Sequence, residues 1–255
     1  MRELNRIGEI NYNTFGSKME IIECRNAKDI DIYFEEYNWI AKHKQYGHFK
    51  RGNIKCPYEK RFLGIGYIGE GKYVFKKNKC SDAWSEILRR CYSKEFQEKR
   101  PTYTDCIVCE EWHNFQNFAK WYEENYYECN GETIHLDKDI LYKNNKIYSP
   151  KTCVFVPKRI NVLFTKCDKN RGNFPIGVSW CERDSVFRSY CSIYNYKKSK
   201  QEYVYLGSYH SANEAFIAYK NFKEKVIKEV ADEYKCYIPI ELYEALYRYK
   251  VEITD

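Results

Sequence analysis

Three side chains that can transfer protons or bind metal ions occupy alternate positions: His135, Asp137 and Asp139. Side chains at every second position of an extended strand lie on one face, so this spacing places an imidazole and two carboxylates together. Carboxylates bind hard divalent cations, and both kinds of group act as general acids or bases. Asn161, on a helix predicted to return beneath this strand, could add a carbonyl oxygen. An exposed polar strand face would give the same pattern, so both interpretations stay open.

The elements that must position these groups form one short unit. Residues 133–165 change from extended to helical patterns and predict a strand, a loop, a second strand and a helix. Pro157 stands where the helix would begin, which is a favoured position for proline. This helix would carry Asn161 back toward the first strand.

Positive charge is concentrated in one part of the chain. The whole chain has a formal net charge of +7, and residues 158–225 hold 13 Lys and Arg against 6 Asp and Glu, which is also +7. A basic segment on a neutral body suggests a polyanionic partner, because phosphate contacts favour clustered cations. A solvated basic face is the alternative.

The basic segment predicts a small sheet backed by a helix. Three strands are predicted in FPIGVSW, VFRSYCSIY and YVYLG, and a capping box at Ser211 and Glu214 then opens a long helix. By alternation, one face is apolar and comprises Ile176, Val178, Trp180, Val204 and Leu206. The opposite face is basic and aromatic and comprises Ser179, Arg183, Arg188, Tyr190, Tyr194, Tyr203 and Tyr205. Arg171, Lys197 and Lys198 are predicted to add contacts to the same polyanionic partner beside it.

The remaining patterns complete an α+β chain. Two strands joined by a turn are predicted in KMEIIEC and DIDIYF, and an amphipathic helix is predicted to begin at Ser81. The aromatic stripe of a second helix, over 110–127, is typical of a core. The sequence therefore predicts three domains: a β module (1–75), a core with a helical lead-in (76–168) and a sheet with packed helices (169–255).

One family resemblance lies in residues 136–161, which read LDKDILYKNNKIYSPKTCVFVPKRIN. This segment resembles the ββα-metal core of HNH endonucleases, especially of a bacteriophage group similar to intron-type homing nucleases. By position, Asp137 matches the acid of that family and Asn161 its final metal ligand. Lys138 stands where the general-base histidine of the family lies, and a lysine is normally protonated near neutral pH.

The resemblance implies a divalent metal, Mg²⁺ or Mn²⁺, held by Asp137 and Asn161. His135 or Asp139 would then replace the missing base as a catalytic residue, or the site would be inactive. Zinc is not expected, because Cys106 and Cys109 have zinc spacing but no second pair completes four ligands.

A second resemblance lies in IGVSWCERDSVFRSYCSIYN and YVYLGSYHSANEAFIAYK. These segments resemble the plant ethylene-response-factor (apetala-two) DNA-binding domain, whose Gly-Val strand, Leu-Gly strand and Glu-Ala helix start appear at 177–178, 206–207 and 214–215. Domains of this kind lay a three-stranded sheet into the major groove, so the likeness implies double-stranded DNA as the partner.

Other features of the sequence bear on the cellular location of the protein. No apolar run approaches the roughly 18 residues of a membrane span, the first residues lack an apolar signal region, and 12 cysteines among Lys-rich segments suggest a reducing cytosol. Together with these features, the resemblance to the bacteriophage group implies a bacteriophage protein in the cytoplasm of an infected bacterium, without a membrane partner. Its predicted function is that of an HNH-type homing endonuclease, and the alternative is a catalytically inactive DNA-binding protein, a regulator or anti-defence protein, on the same scaffold.

Overall fold

Two compact units make up the described part of the protein. The computed structural model describes residues 6–165, 174–195 and 200–253. The first unit is Met1–Asn125 with Lys146–Lys151, and the second is Tyr126–Asn145 with Thr152–Asp255. The predicted α+β class is confirmed. These two units do not coincide with the three predicted domains.

The first unit begins with a four-stranded antiparallel sheet. Its strands, in spatial order, are β1 (Ile10–Tyr12), β2 (Lys18–Asn26), β3 (Asp29–Phe34) and β4 (Trp39–Lys44), and α1 (Tyr46–Lys50) follows. The two strands predicted from sequence are β2 and β3. The apolar face predicted for β3 is confirmed, because Ile30, Ile32 and Phe34 are fully buried.

Helices form the rest of the first unit. They are α2 (Lys79–Tyr92), α3 (Lys94–Lys99) and α4 (Phe115–Asn125), with two short strands, β5 (Ile107–Val108) and β7 (Ile147–Tyr148), paired in parallel. Asn78, rather than Ser81, caps α2: its Oδ1 accepts a hydrogen bond from the Ser81 backbone N–H at 2.9 Å. The predicted second helix begins late, because Glu110–His113 forms a 3-10 turn before α4.

The second unit opens with the predicted strand, loop, strand and helix. Its elements are β6 (Ile134–Asp137), β8 (Val154–Pro157) and α5 (Lys158–Val162). The strands pair antiparallel, and α5 packs against both of them. The strand β6 ends at Asp137, so the predicted extension of this strand through Asp139 is wrong.

A three-stranded antiparallel sheet and two helices complete the second unit. They are β9 (Val178–Cys181), β10 (Val186–Asn195), β11 (Lys200–Tyr209), α6 (Ala212–Tyr234) and α7 (Ile240–Arg248), with β10 in the middle of the sheet. The predicted capping box of α6 is present in full: Ser211 Oγ accepts from Glu214 N, and the Glu214 carboxylate accepts from Ser211 N.

One hydrophobic core joins all parts of the second unit. Val156 of β8 and Ile160 of α5 belong to the same buried cluster as Cys191 of β10, Ile227 of α6 and Leu246 of α7. The strand–loop–strand–helix unit and the C-terminal sheet are therefore packed together, although the sequence predicts a domain boundary between them.

The start of β9 lies too close to α6 for any side chain at Gly177. A Cβ atom there would be 2.1 Å from Cδ2 of Tyr219, and the backbone φ of +76° disfavours other residues. We expect Gly177→Ala to lower the free energy of unfolding by about 2–5 kcal/mol, from left-handed strain and overpacking together. Urea unfolding followed by circular dichroism measures this loss.

Gly131→Ala is the matched control for this substitution. Gly131 has nearly the same φ, +72°, but nothing lies within 4 Å of its Cβ position. Gly131→Ala should lower the free energy of unfolding only by the cost of the left-handed backbone conformation, about 1–2 kcal/mol. Equal losses for the two variants would show that the close approach of Gly177 to Tyr219 does not exist in solution.

Candidate nucleic-acid interface and metal centre

Alternation along β10 separates the two faces of the C-terminal sheet. Ser189 and Cys191 are fully buried toward α6, which packs against all three strands. Arg188, Tyr190 and Tyr194 occupy the alternate positions and therefore lie on the other side. We call this side the outward face; it comprises Ser179, Arg188, Tyr190, Ser192, Tyr194, Gln201, Tyr203, Tyr205 and Ser208.

Cross-strand pairs order the outward face from one end to the other. Arg188 stands between Ser179 of β9 and Ser208 of β11. Beside it, Tyr190 is paired with Tyr205, and their ring centroids are 5.2 Å apart. The Tyr205 hydroxyl lies 2.7 Å from Ser208 Oγ. The face thus presents a guanidinium at one end and tyrosine rings along its length.

The tyrosines of this face are accessible. Tyr203 is 75% exposed and Tyr205 54% exposed, which leaves their rings available to a ligand. Trp180, predicted to be part of the buried face, is 42% exposed instead. It packs against its cross-strand neighbour Phe187, with ring centroids 4.8 Å apart, rather than in the core.

Two predicted arginines contact one carboxylate: Arg188 of β10, and Arg183, which lies in the turn at the end of the outward face rather than on a strand as predicted. Arg183 Nε donates to Asp184 Oδ1 at 2.9 Å, and Arg188 Nη2 donates to Asp184 Oδ2. The two guanidinium groups lower the pKa of Asp184, Arg183 having the larger effect. The remaining predicted cations Arg171, Lys197 and Lys198 lie outside the described residues, so their roles stay predictions.

At the end of β6, the carboxylate of Asp137 closes a turn. Its Oδ1 accepts hydrogen bonds from the backbone N–H groups of Asp139, at 2.7 Å, and Ile140, at 2.8 Å. Desolvation by the surrounding protein raises the pKa of Asp137 in spite of these bonds. His135 lies on the same face of β6, as the spacing predicts, and is half-buried.

Lys138 holds the third predicted catalytic residue away from that face. Its Nζ donates to both carboxylate oxygens of Asp139, at 2.7 and 2.8 Å, and to the Asn145 carbonyl oxygen at 2.8 Å. Lys138 is 6% exposed, whereas the Asp139 side chain is 51% exposed. Lys138, which the predicted resemblance places at the position of a general base, is therefore a structural cation, and the predicted placement of Asp139 beside Asp137 on the strand is wrong.

A preformed three-residue metal site is not present at this strand end. Among the described residues, one group of three His, Cys, Asp or Glu side chains brings its ligand atoms within 4.8 Å of one another, and it is Asp29, Asp31 and His43 in the first unit. Mg²⁺ is often bound by one or two carboxylates together with phosphate oxygens and waters. Asp137 and Asn161, which is half-buried on α5, could hold a metal only in that way.

An arginine binds both carboxylates of the group formed by Asp29, Asp31 and His43. Arg25 donates from Nε to Asp29 at 2.9 Å and from Nη2 to Asp31 at 2.7 Å, and the His43 Nδ1 lies 3.0 Å from Asp29. Arg25 already occupies oxygens of both carboxylates, so a metal ion would have to compete with the guanidinium for them. The cluster joins β2, β3 and β4 and was not found from the sequence, because its members come from three strands.

The paired cysteines flank the short strand β5. Cys106 is buried and Cys109 is half-buried, and both are free thiols. Burial raises the pKa of Cys109. This environment is that of packed, unreactive thiols rather than of nucleophiles.

Comparison with known proteins adds no family assignment. No family model, no curated protein and no solved structure matches the chain. None of the helices in the described ranges has the length and apolar content that a bilayer crossing requires. The two family resemblances therefore stay predictions.

The raised pKa of Asp137 predicts a pH-dependent difference between two variants. A carboxyl group whose folded pKa is raised stabilises the fold below its unfolded pKa, and this contribution is lost as the pH rises through the folded pKa. Asp137→Asn keeps an acceptor oxygen without the charge, so it should gain stability relative to wild type as the pH rises from 4 to 7.

Asp137→Ala is the companion variant, because it removes the acceptor as well. Its free energy of unfolding should fall by about 1–3 kcal/mol at pH 4, since two backbone donors lose their partner, and the deficit should become smaller at pH 7, where the wild type carries the desolvated carboxylate. Denaturant unfolding at pH 4 and pH 7 measures both effects. A constant difference between Asp137→Asn and wild type over this range would contradict the desolvated carboxylate.

Proposed function

We propose that the protein binds double-stranded DNA through the outward face of the C-terminal sheet. The observation that carries this proposal is the composition of that face: a guanidinium flanked by serines, and exposed tyrosines, on a sheet whose other side is closed by α6. We place this activity in the cytoplasm of an infected bacterium, as the sequence predicts for a bacteriophage protein.

The groups of the outward face suit a duplex. Arginine binds phosphate or a guanine edge with two parallel hydrogen bonds, and Ser and Tyr hydroxyls contact phosphate oxygens. Small β-sheet readers place strands in a groove of the duplex. The helix α6 holds the three strands from behind, so the face is ordered before DNA binds.

Removal of both arginines tests this proposal. Arg183→Ala with Arg188→Ala should weaken binding to a duplex by about tenfold or more at moderate salt, because phosphate contacts supply most of the electrostatic affinity. The dependence of log affinity on log salt should become shallower by about 0.9 for each lost contact. Fluorescence anisotropy at several salt concentrations measures both quantities.

The control is the double variant Lys225→Ala with Arg248→Ala, which removes the same number of positive charges as the double arginine variant. Both side chains are exposed on the helices α6 and α7, at 72% and 74%, and neither belongs to the outward face. This pair should change affinity much less. If the two double variants weaken binding equally, the outward face is not the docking surface.

Metal-dependent DNA cleavage is the second candidate function. It is favoured by the order of β6, β8 and α5, with Asp137 at the end of the first strand and Asn161 on the helix. We propose Mg²⁺ or Mn²⁺ as the metal, Asp137 and Asn161 as its ligands and His135 as the base. Asp139 is not part of this candidate site, because Lys138 binds its carboxylate.

A plasmid assay with each metal decides between cleavage and binding alone. If the site cleaves, Asp137→Asn should abolish nicking and His135→Ala should slow it by about 10²- to 10⁴-fold, while both variants still bind DNA. Asp139→Asn, which keeps an acceptor oxygen for the buried Lys138, should cut at nearly the wild-type rate. A wild-type protein that never nicks supercoiled DNA with either metal excludes this candidate and leaves the binding function standing.

A further inference from the structure

The turn between β9 and β10 contains two acidic residues, Glu182 and Asp184, which differ in their contacts. Four residues, 182–185, connect the strands, and the Ser185 N–H donates to the Glu182 carbonyl oxygen at 3.3 Å. Ser185 has a φ of +51°, which turns the chain sharply at this point. Asp184 and Glu182 therefore lie in one short turn at the arginine end of the outward face.

Asp184 contacts both arginines at once, and its Oδ2 accepts from each of them. The Arg183 guanidinium donates to Oδ1 from Nε at 2.9 Å and to Oδ2 from Nη2 at 3.2 Å, and Arg188 donates to Oδ2. Among the described residues, Glu182 forms no ion pair with either arginine. Of the two acids in the turn, Asp184 alone occupies the donors that a phosphate would use.

This arrangement has a direct electrostatic consequence. Fewer counterions are released from the DNA when the guanidinium that binds it is already paired with a carboxylate. The charge of such a guanidinium is partly neutralised before the DNA binds. A phosphate must displace Asp184 or share the donors with it. Sequence-independent binding, which is almost entirely electrostatic, is affected most.

We propose that Asp184 is a positioning residue that competes with DNA phosphate for Arg183 and Arg188 and so limits sequence-independent binding. This inference rests on the proposed DNA-binding function. Asp184 holds both guanidinium groups at the end of the sheet in the absence of DNA. Binding then exchanges one carboxylate for phosphate oxygens at two arginines.

Asp184→Asn compared with Glu182→Gln tests the inference. Both variants remove one negative charge from the same turn, but only Asp184→Asn releases the arginines. We expect Asp184→Asn to bind a random-sequence duplex about 3- to 25-fold more tightly than wild type, since each exposed ion pair corresponds to a factor of up to about five. The salt dependence should become steeper by about 0.9 for each additional phosphate contact. Glu182→Gln should change both quantities much less.

The effect of Asp184→Asn must also depend on the arginines. In a protein that already carries Arg183→Ala and Arg188→Ala, Asp184→Asn should leave the affinity for the duplex unchanged. A gain of the same size in that background would show that Asp184 acts through net charge alone, and it would overturn the proposal. Weaker binding by Asp184→Asn in the otherwise wild-type protein would overturn it as well.

Elution from immobilised heparin separates this inference from the proposed function. Heparin presents a dense array of sulfate groups and does not require a DNA-binding site. Asp184→Asn should elute at a higher salt concentration than Glu182→Gln, whether or not the protein binds DNA. Equal elution of the two variants contradicts the inference, whereas failure of the wild type to bind any duplex contradicts only the proposed function.

Discussion

The packing of α6 against one side of the C-terminal sheet determines which side chains this region presents to solvent. Cys191 of β10 is fully buried against the helix, and so are Ala215 and, nearly, Phe216 on the helix itself. Because side chains alternate along a strand, each buried position of β10 forces its neighbours to the opposite side. Arg188 and Tyr190 therefore lie on the side away from the core, where each is half-buried.

The same core also contains the strand–loop–strand–helix unit. Val156 and Ile160 pack in one cluster with the helices that support the sheet, so the two regions form one folded body instead of two linked domains. Lys138 also links parts of this region, because its buried ammonium group donates hydrogen bonds to the Asp139 carboxylate and to the Asn145 carbonyl oxygen. Because Lys138 and Asp139 are held in this structural contact, the proposed metal site is limited to Asp137 and Asn161 as ligands, with His135 as the proposed base.

Local sequence patterns predicted the elements well, and they predicted side-chain partners poorly. The capping box of Ser211 and Glu214 and the alternation in β10 depend on neighbouring residues, so they could be predicted from spacing alone. The burial of Lys138 depends on the path of the loop after β6, which no periodicity describes. The ion pairs of Asp184 depend on the shape of a four-residue turn, and those of Arg25 depend on three strands meeting in space.

The central claim is that the outward face docks on DNA, and titration followed by NMR measures it directly. Duplex DNA added to protein with labelled tyrosines should shift or broaden the ring resonances of Tyr203 and Tyr205, which are exposed on that face. The ring of Tyr234, buried at the C-terminal end of α6, where its hydroxyl donates to Glu132, should keep its resonance positions. Unchanged signals from Tyr203 and Tyr205 at saturating DNA, with changes elsewhere in the chain, would contradict the claim.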